Sequence, residues 1–189
     1  MRWKSHVRFG RRAAETGRSR DRHRAAARPH TEHPTREGKV YCAVVLDAYS
    51  RRVVGWSSAA APTAALVTNA LGMAIDARCP PDATVIHSDQ GTQYGSWAFT
   101  RRAQEAGLLP SMGAVGTCFD NALMESFWSR VQVELLDRQA WSTRLELATA
   151  LFEYLEIFHN RQRRHSSLGM LTPSEFEARQ GSLTTSTVA

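Results

Sequence analysis

The segment Val40-Tyr41-Cys42-Ala43-Val44-Val45-Leu46 is rich in β-branched and apolar residues on both faces, and this constrains the fold more than any other feature. In an extended chain successive side chains point to opposite sides, so both sides of this strand must be covered. A strand buried twice over belongs inside a sheet that carries helices on both faces. The flanking sequence agrees. Glu37-Gly38 makes a turn ahead of the strand, Asp47-Ala48-Tyr49-Ser50 makes another after it, and Arg52-Val53-Val54-Gly55-Trp56 returns as the second arm of a hairpin.

Pro62 and Thr63 then open a helix predicted over 63–77, with Leu66, Ala70, Met73 and Ala77 spaced for one buried stripe. Pro80-Pro81 ends it. A short strand at 84–87 follows, then a loop through Gly91 and Gly95, a helix at 96–106 and a short strand around Leu108-Leu109. Alternation of strands and helices in this order predicts an α/β domain. Beyond a glycine-rich loop at 113–117, Asp120 or Asn121 caps a helix running to about Asp137. A helix over 143–158 places Leu147, Leu151, Tyr154 and Phe158 on one face, and Pro173 starts a short terminal helix. Trp56, Trp97, Trp128 and Trp141 each lie in an apolar pattern and read as core fillers.

Charge divides the chain. Residues 1–30 hold nine arginines and Lys4 against Glu15 and Asp21, a local +8, so the rest carries −2 of the total +6. The basic character therefore belongs to the first segment, which shows no apolar periodicity and reads as a disordered arm, or as the product of a different reading frame. The domain division expected is 1–30 basic arm, 31–180 globular core with a helical tail, and 181–189 disordered end. No apolar run reaches the roughly 18 residues of a membrane span, so no membrane role is expected. Cys42, Cys79 and Cys118 are scattered, which argues against a disulfide framework or zinc site and for reduced thiols in a cytoplasm.

Two carboxylates stand out. Asp89 ends the apolar strand Val85-Ile86-His87-Ser88, at the carboxyl edge of an α/β sheet where ligand sites form. Glu125 lies within a helix whose polar stripe includes Asn121, Ser129 and Gln132, neutral groups suited to sugar and phosphate. With 35 residues between them, a strand, loop and helix can bring both to one place as hard oxygen ligands for Mg²⁺. His87 shares the strand face of Asp89 and reads as a hydrogen-bonded core or supporting residue. Arg161, Arg163, Arg164 and His165 form the densest basic cluster outside the first segment and are candidates for DNA backbone contact, with Arg130 nearby in sequence to Glu125.

Several words occur in order: His87-Ser88-Asp89-Gln90-Gly91-Thr92-Gln93-Tyr94, Ser111-Met112, Gly116-Thr117-Cys118-Phe119-Asp120-Asn121-Ala122, Glu125-Ser126-Phe127 and His159-Asn160-Arg161-Gln162-Arg163-Arg164-His165-Ser166-Ser167-Leu168-Gly169. Together, over about 31–177, they resemble the catalytic part of bacterial insertion-sequence transposases in the retroviral-integrase superfamily. The resemblance implies an RNase H-like α/β fold, a mixed five-stranded sheet flanked by helices, and leaves room for an incomplete first strand. It implies Asp-Asp-Glu chemistry with Mg²⁺ or Mn²⁺, DNA cleavage and strand transfer by two-metal phosphoryl transfer, and Asp89 and Glu125 as second and third carboxylates. Its implied partners are insertion-sequence ends and target DNA, bound by a homo-oligomer in the bacterial cytoplasm at the nucleoid. A non-catalytic, interfering DNA-binding remnant is the alternative, and a simple RNase H-like nuclease a third.

This sequence departs from that pattern in two places. Where the first aspartate should stand two residues before a threonine, it reads Pro29-His30-Thr31. Proline has no ligand atom and no N–H for a central ladder. Glu32 has the wrong strand parity to substitute; Asp47 is the better substitute, expected across the hairpin from about position 28 or 29. On that basis a front-truncated or frameshifted transposase without its end-recognition region, and without turnover, is expected. Second, Gln132 stands where related enzymes often offer a lysine two turns past the glutamate, which leaves backbone contact to Arg130, Arg161, Arg163 and Arg164.

Overall fold

The computed structural model describes residues 25–88, 93, 95–112 and 117–186. The sheet contains β1 (Ala25–Thr35), β2 (Gly38–Asp47), β3 (Val53–Ala59), β4 (Val85–Ser88) and β5 (Leu109–Met112) in the order β3-β2-β1-β4-β5. β1, β2 and β3 are antiparallel neighbours, whereas β4 pairs parallel to both β1 and β5. The mixed five-stranded sheet of the sequence reading is therefore present. β1 begins at Ala25, within the segment read as a basic arm, and the terminal helix runs to Ser186, past the expected end of the core at 180.

The apolar strand β2 supplies both layers of core. Ala43 and Val45 face α1 (Ala64–Arg78) and α2 (Trp97–Glu105), where they meet Leu66, Val67, Ala70, Leu71, Phe99 and Ala103. Val40, Cys42, Val44 and Leu46 face α3 (Thr117–Glu134) and α4 (Arg144–Phe152), where they meet Met124, Phe127, Trp128, Val131, Leu147 and Leu151. Thr63 caps α1 by accepting the Leu66 N–H, and Thr143 with Glu146 forms a reciprocal capping box on α4. Burial of each large apolar side chain on α3 is worth about 1.5–3 kcal/mol, so this helix is held firmly to the sheet.

Three sequence expectations are corrected. α1 buries Leu66, Val67, Ala70, Leu71 and Ala74, leaving Met73 39% exposed. The helix lies so close to β3 that a Cβ on Gly55 would strike the Ala70 carbonyl oxygen, and at that range two adjacent rows are buried rather than one stripe. Trp97 is 73% exposed, because α2 packs through Phe99 and Ala103; its ring carries the Arg101 guanidinium 4.9 Å from the centroid. Phe158 is exposed as well. After Phe152 the winding widens into a π-helical segment (Glu153–Gln162), closed by the Arg163 N–H on the Phe158 carbonyl at 2.7 Å. Wider winding rotates the apolar face, so Phe158 turns outward while His159 and Asn160 turn in.

α5 (Pro173–Ser186) is capped by Thr172 and Glu175 and returns to the β2–β3 turn, where Phe176 packs edge-on against Tyr49. Cys42 is buried and Cys79 exposed, both as free thiols, and burial pushes Cys42 up to about 12.

Candidate active site and nucleic-acid interface

β4 ends at Ser88, with His87 and Ser88 both buried. His87 thus occupies the core-facing place expected of it. Asp89, the residue that follows, lies outside the described residues, as do Gln90-Gly91-Thr92 and residues 113–116 of the glycine-rich loop expected at 113–117; α3 already starts at Thr117, so Asp120 and Asn121 lie inside the helix and not at its cap. Glu125 is exposed on α3, on the side away from Met124, Phe127, Trp128 and Val131. Ser129 shares its exposed face and donates its hydroxyl to the Glu125 carbonyl at 2.7 Å, while Gln132 donates its amide to Asp137.

Pro29 sits in β1, the middle strand of the sheet. The β1–β2 register runs regularly up to Arg28↔Val44, shifts, and resumes at Thr31↔Cys42. The break falls on Pro29-His30, where an imino acid removes a ladder donor that a central strand needs. Asp47 is not across from position 28 or 29, as its sequence position suggested, but pairs with Ala25. The hairpin turns at Arg36-Glu37, one residue earlier than expected, and the register shift between Arg28 and Thr31 moves the pairing again, so Asp47 meets Ala25. Its carboxylate is also engaged: Oδ1 accepts the N–H groups of Tyr49 at 2.8 Å and Ser50 at 3.3 Å, and Oδ2 accepts Arg78 at 3.4 Å. Burial pushes the Asp47 carboxyl up, against the pull of Arg78 and those two amides. Arg78 also pairs with Glu177, which receives Arg52 at 2.7 Å, so Asp47 belongs to a network that ties α5 to the sheet.

The basic words of the tail divide by role. His159 Nε2 lies 2.8 Å from the Arg51 carbonyl, and the Asn160 side chain bonds both backbone groups of Val53, accepting its N–H and donating to its carbonyl at 2.9 Å each. Asn160 thus serves as a strand neighbour for β3, the edge of the sheet. Arg163 grips Glu134 through Nε and Nη2 at 2.9–3.2 Å, and Tyr154 donates to the same carboxylate at 2.6 Å. Hydrogen bonding from Arg163 holds Glu134 below the usual carboxylate range. Arg161 is exposed. Arg164 is exposed too, donating to the Met170 carbonyl at 2.9 Å and standing 3.7 Å from Glu175.

Arg130, Arg163 and Arg164 come together at a cleft of about 580 Å³ between α3, the β2–β3 turn and residues 163–170. Sequence reasoning missed its fourth arginine, Arg51, which lies in the turn Ser50-Arg51-Arg52 with a left-handed backbone, φ 62°. The signal available was an Arg-Arg pair inside a tight turn. Ala122 and Ser126 of α3 line the same cleft, so Glu125 flanks it along the helix. Among the described residues no group of three or more His, Cys, Asp or Glu side chains is placed to hold a metal ion.

This fold, a mixed β3-β2-β1-β4-β5 sheet with helices packed on both faces, matches known proteins. Two models described as integrase core domain match residues 29–118 and 106–173. The chain belongs to the integrase core family.

Among curated relatives, the integrase core of this chain is 41% identical over 143 residues to transposase InsF for insertion sequence IS3A of Escherichia coli K12, covering 76% of this chain and 50% of that protein. It is 36% identical over 144 residues to the transposase for IS904 of Lactococcus lactis, covering 76% and 57%. The chain thus spans about half the length of the curated relatives it matches. Among solved structures it superposes on a chain of the simian T-cell lymphotropic virus intasome with TM-score 0.60 at 16% identity, over 78% of this chain and 51% of that one. It also matches the HTLV-2 integrase catalytic core domain solved with magnesium, TM-score 0.51 at 16% identity, over 78% and 90%. At such identities these two matches establish the RNase H-like fold.

Proposed function

We propose that this chain is the DNA-processing core of an insertion-sequence transposase, acting as a homo-oligomer on insertion-sequence ends and target DNA, whose strand cleavage and joining are disabled by Pro29. The observation that carries the reading is the register break at Pro29 in the central strand, the position where the family pattern has its first aspartate.

Asp89 and Glu125 suit one hard divalent cation, since Mg²⁺ is commonly held by one or two carboxylates with water and substrate phosphates completing the shell. They do not suit two. Position 29 offers no carboxylate, and Asp47 is occupied by Arg78 and the turn amides. Asp89 and Glu125 would therefore hold a single Mg²⁺ or Mn²⁺, and such an ion supplies Lewis-acid polarisation of phosphate oxygens. The magnesium in the HTLV-2 core domain supports this choice of metal. The protein's own contribution is position: α3 presents Glu125 from a packed core, and the exposed Arg130, Arg161 and Arg164 meet the DNA backbone, whereas Arg163 acts through Glu134. Gln132, bonded to Asp137, contributes an uncharged contact at most.

A non-catalytic DNA-binding subunit that interferes with intact transposase is the second reading, favoured by the same proline. Strand-transfer assays with Mg²⁺ or Mn²⁺ on insertion-sequence ends separate the two. The disabled-enzyme reading expects a silent wild-type chain and joining by Pro29→Asp that is lost again when Asp89→Ala or Glu125→Ala is added. Robust joining by the wild-type chain would sink it. Silence of Pro29→Asp, with DNA binding intact, would leave the interfering subunit.

A further inference from the structure

Resting on the DNA reading above, we propose that the cleft walled by Arg51, Arg130 and Arg164 is a nucleotide-binding subsite, which seats one nucleotide of a DNA strand beside Glu125. Its phosphate faces these arginines and its sugar and base lie against an apolar floor of Leu46 and Phe127.

Size comes first. About 580 Å³ is ample for one nucleotide and falls in the range of small-molecule sites. Composition comes second. No acidic residue is among its described lining residues, so the cationic wall is not cancelled from inside the cleft. Two carboxylates outside the lining engage its arginines: Glu134 takes Arg163, and Glu175 stands 3.7 Å from Arg164. Arg130 reaches the cleft from an exposed position on a helix anchored by Phe127 and Val131. A phosphate meeting two or three guanidinium groups makes charge-assisted hydrogen bonds, roughly twice as strong as neutral ones.

The third observation concerns His165, in the cleft wall. Its Nε2 is buried and has no hydrogen-bond partner, a condition that costs free energy unless a ligand completes it. With the ring turned toward the cleft as the Nε2–H tautomer, a phosphate oxygen would supply the missing acceptor. Burial first, then His159, Arg163, Arg130 and Arg51, hold this histidine down to about 4, in keeping with these three arginines lining the cleft beside it. An anion arriving there relieves their mutual repulsion. The fourth observation is position. Ala122 and Ser126 line the cleft and bracket Glu125 on α3, and residues three apart on a helix have Cβ atoms only about 5–6 Å apart. A strand seated in the cleft therefore runs past the glutamate.

The experiment uses the full chain and two probes. Fluorescence anisotropy with a labelled single-stranded oligonucleotide is run across a salt series on wild type, Arg130→Gln, Ser126→Glu and Arg101→Gln. Arg130→Gln should weaken binding about tenfold and reduce the salt slope by about one. Ser126→Glu, which adds a carboxylate at an exposed wall position without removing a cation, should weaken it comparably. Arg101→Gln, on the distant α2, should bind as wild type. Circular dichroism of each variant confirms folding. In parallel, histidine side-chain NMR follows His165 on addition of the oligonucleotide or of inorganic phosphate. If the wild type binds no DNA yet phosphate shifts His165, the DNA reading fails and the nucleotide subsite with it, leaving only a phosphate site. If Arg130→Gln and Ser126→Glu bind DNA like wild type and His165 does not move, DNA binds elsewhere and the cleft proposal is overturned.

Discussion

Asn160→Ala tests whether the tail motif holds the sheet together. In the folded chain the Asn160 side chain accepts the Val53 N–H and donates to the Val53 carbonyl, both at 2.9 Å and both buried. Alanine leaves a backbone donor and acceptor without partners at the start of the edge strand. Each such group costs about 1–3 kcal/mol, so a loss of about 2–5 kcal/mol is expected, with water entering at the edge setting the lower end. In a chain of this size that corresponds to a Tm drop of about 5–15 °C. Urea unfolding followed by tryptophan fluorescence gives the free energy, and an unchanged m value would show that the variant loses stability rather than compactness. Asn160→Asp adds a control: at neutral pH it faces the Val53 carbonyl with an oxygen in place of a donor, so it should be at least as damaging and should recover partly when acid protonates it. A loss below about 0.5 kcal/mol for Asn160→Ala would refute the strand-neighbour role.

Three further outcomes follow from the same structure. Gly55→Ala should cost about 1–3 kcal/mol in urea unfolding, because its Cβ would strike the Ala70 carbonyl oxygen and crowd Ala74. Burial holds His159 down to about 4, below the ordinary 6.5, so below pH 6.5 the unfolded chain takes up a proton that the folded chain refuses. Stability should therefore be full above pH 6.5 and lose ~3 kcal/mol from this group as pH drops toward 4; His159→Gln should remove that share from the urea midpoints and leave the share of His165, which is also held down to about 4. Glu134→Gln should cost about 1–2 kcal/mol by releasing Arg163 and Tyr154, seen as a lower urea midpoint with secondary structure retained.

The sheet was legible because β2 has no polar face to spare and because turn residues punctuate every strand around it. What stayed hidden depended on contacts made across the sequence. The Met73 error came from assuming one stripe where a close-packed helix buries two rows, and the Phe158 error from assuming 3.6-residue winding through a segment that widens. The tail motif was the larger lesson: its basic letters suggested a uniform surface, yet His159 and Asn160 support β3, Arg163 serves Glu134, and Arg161 and Arg164 remain exposed. Arg51 joined the cleft from a turn more than seventy residues upstream of Arg130. No periodicity encodes such a meeting. Pro29, by contrast, was readable at once, since an imino acid in a central strand announces a break that the β1–β2 register then displays.

The central claim is that Pro29 leaves carboxylates for one divalent cation where the family pattern holds two. Counting bound Mn²⁺ by electron paramagnetic resonance, with the full chain saturated by an insertion-sequence end, tests it most directly. One ion on the wild type, none on the Asp89→Ala, Glu125→Ala double variant and two on Pro29→Asp is the predicted result. Two ions on the wild-type chain would contradict it.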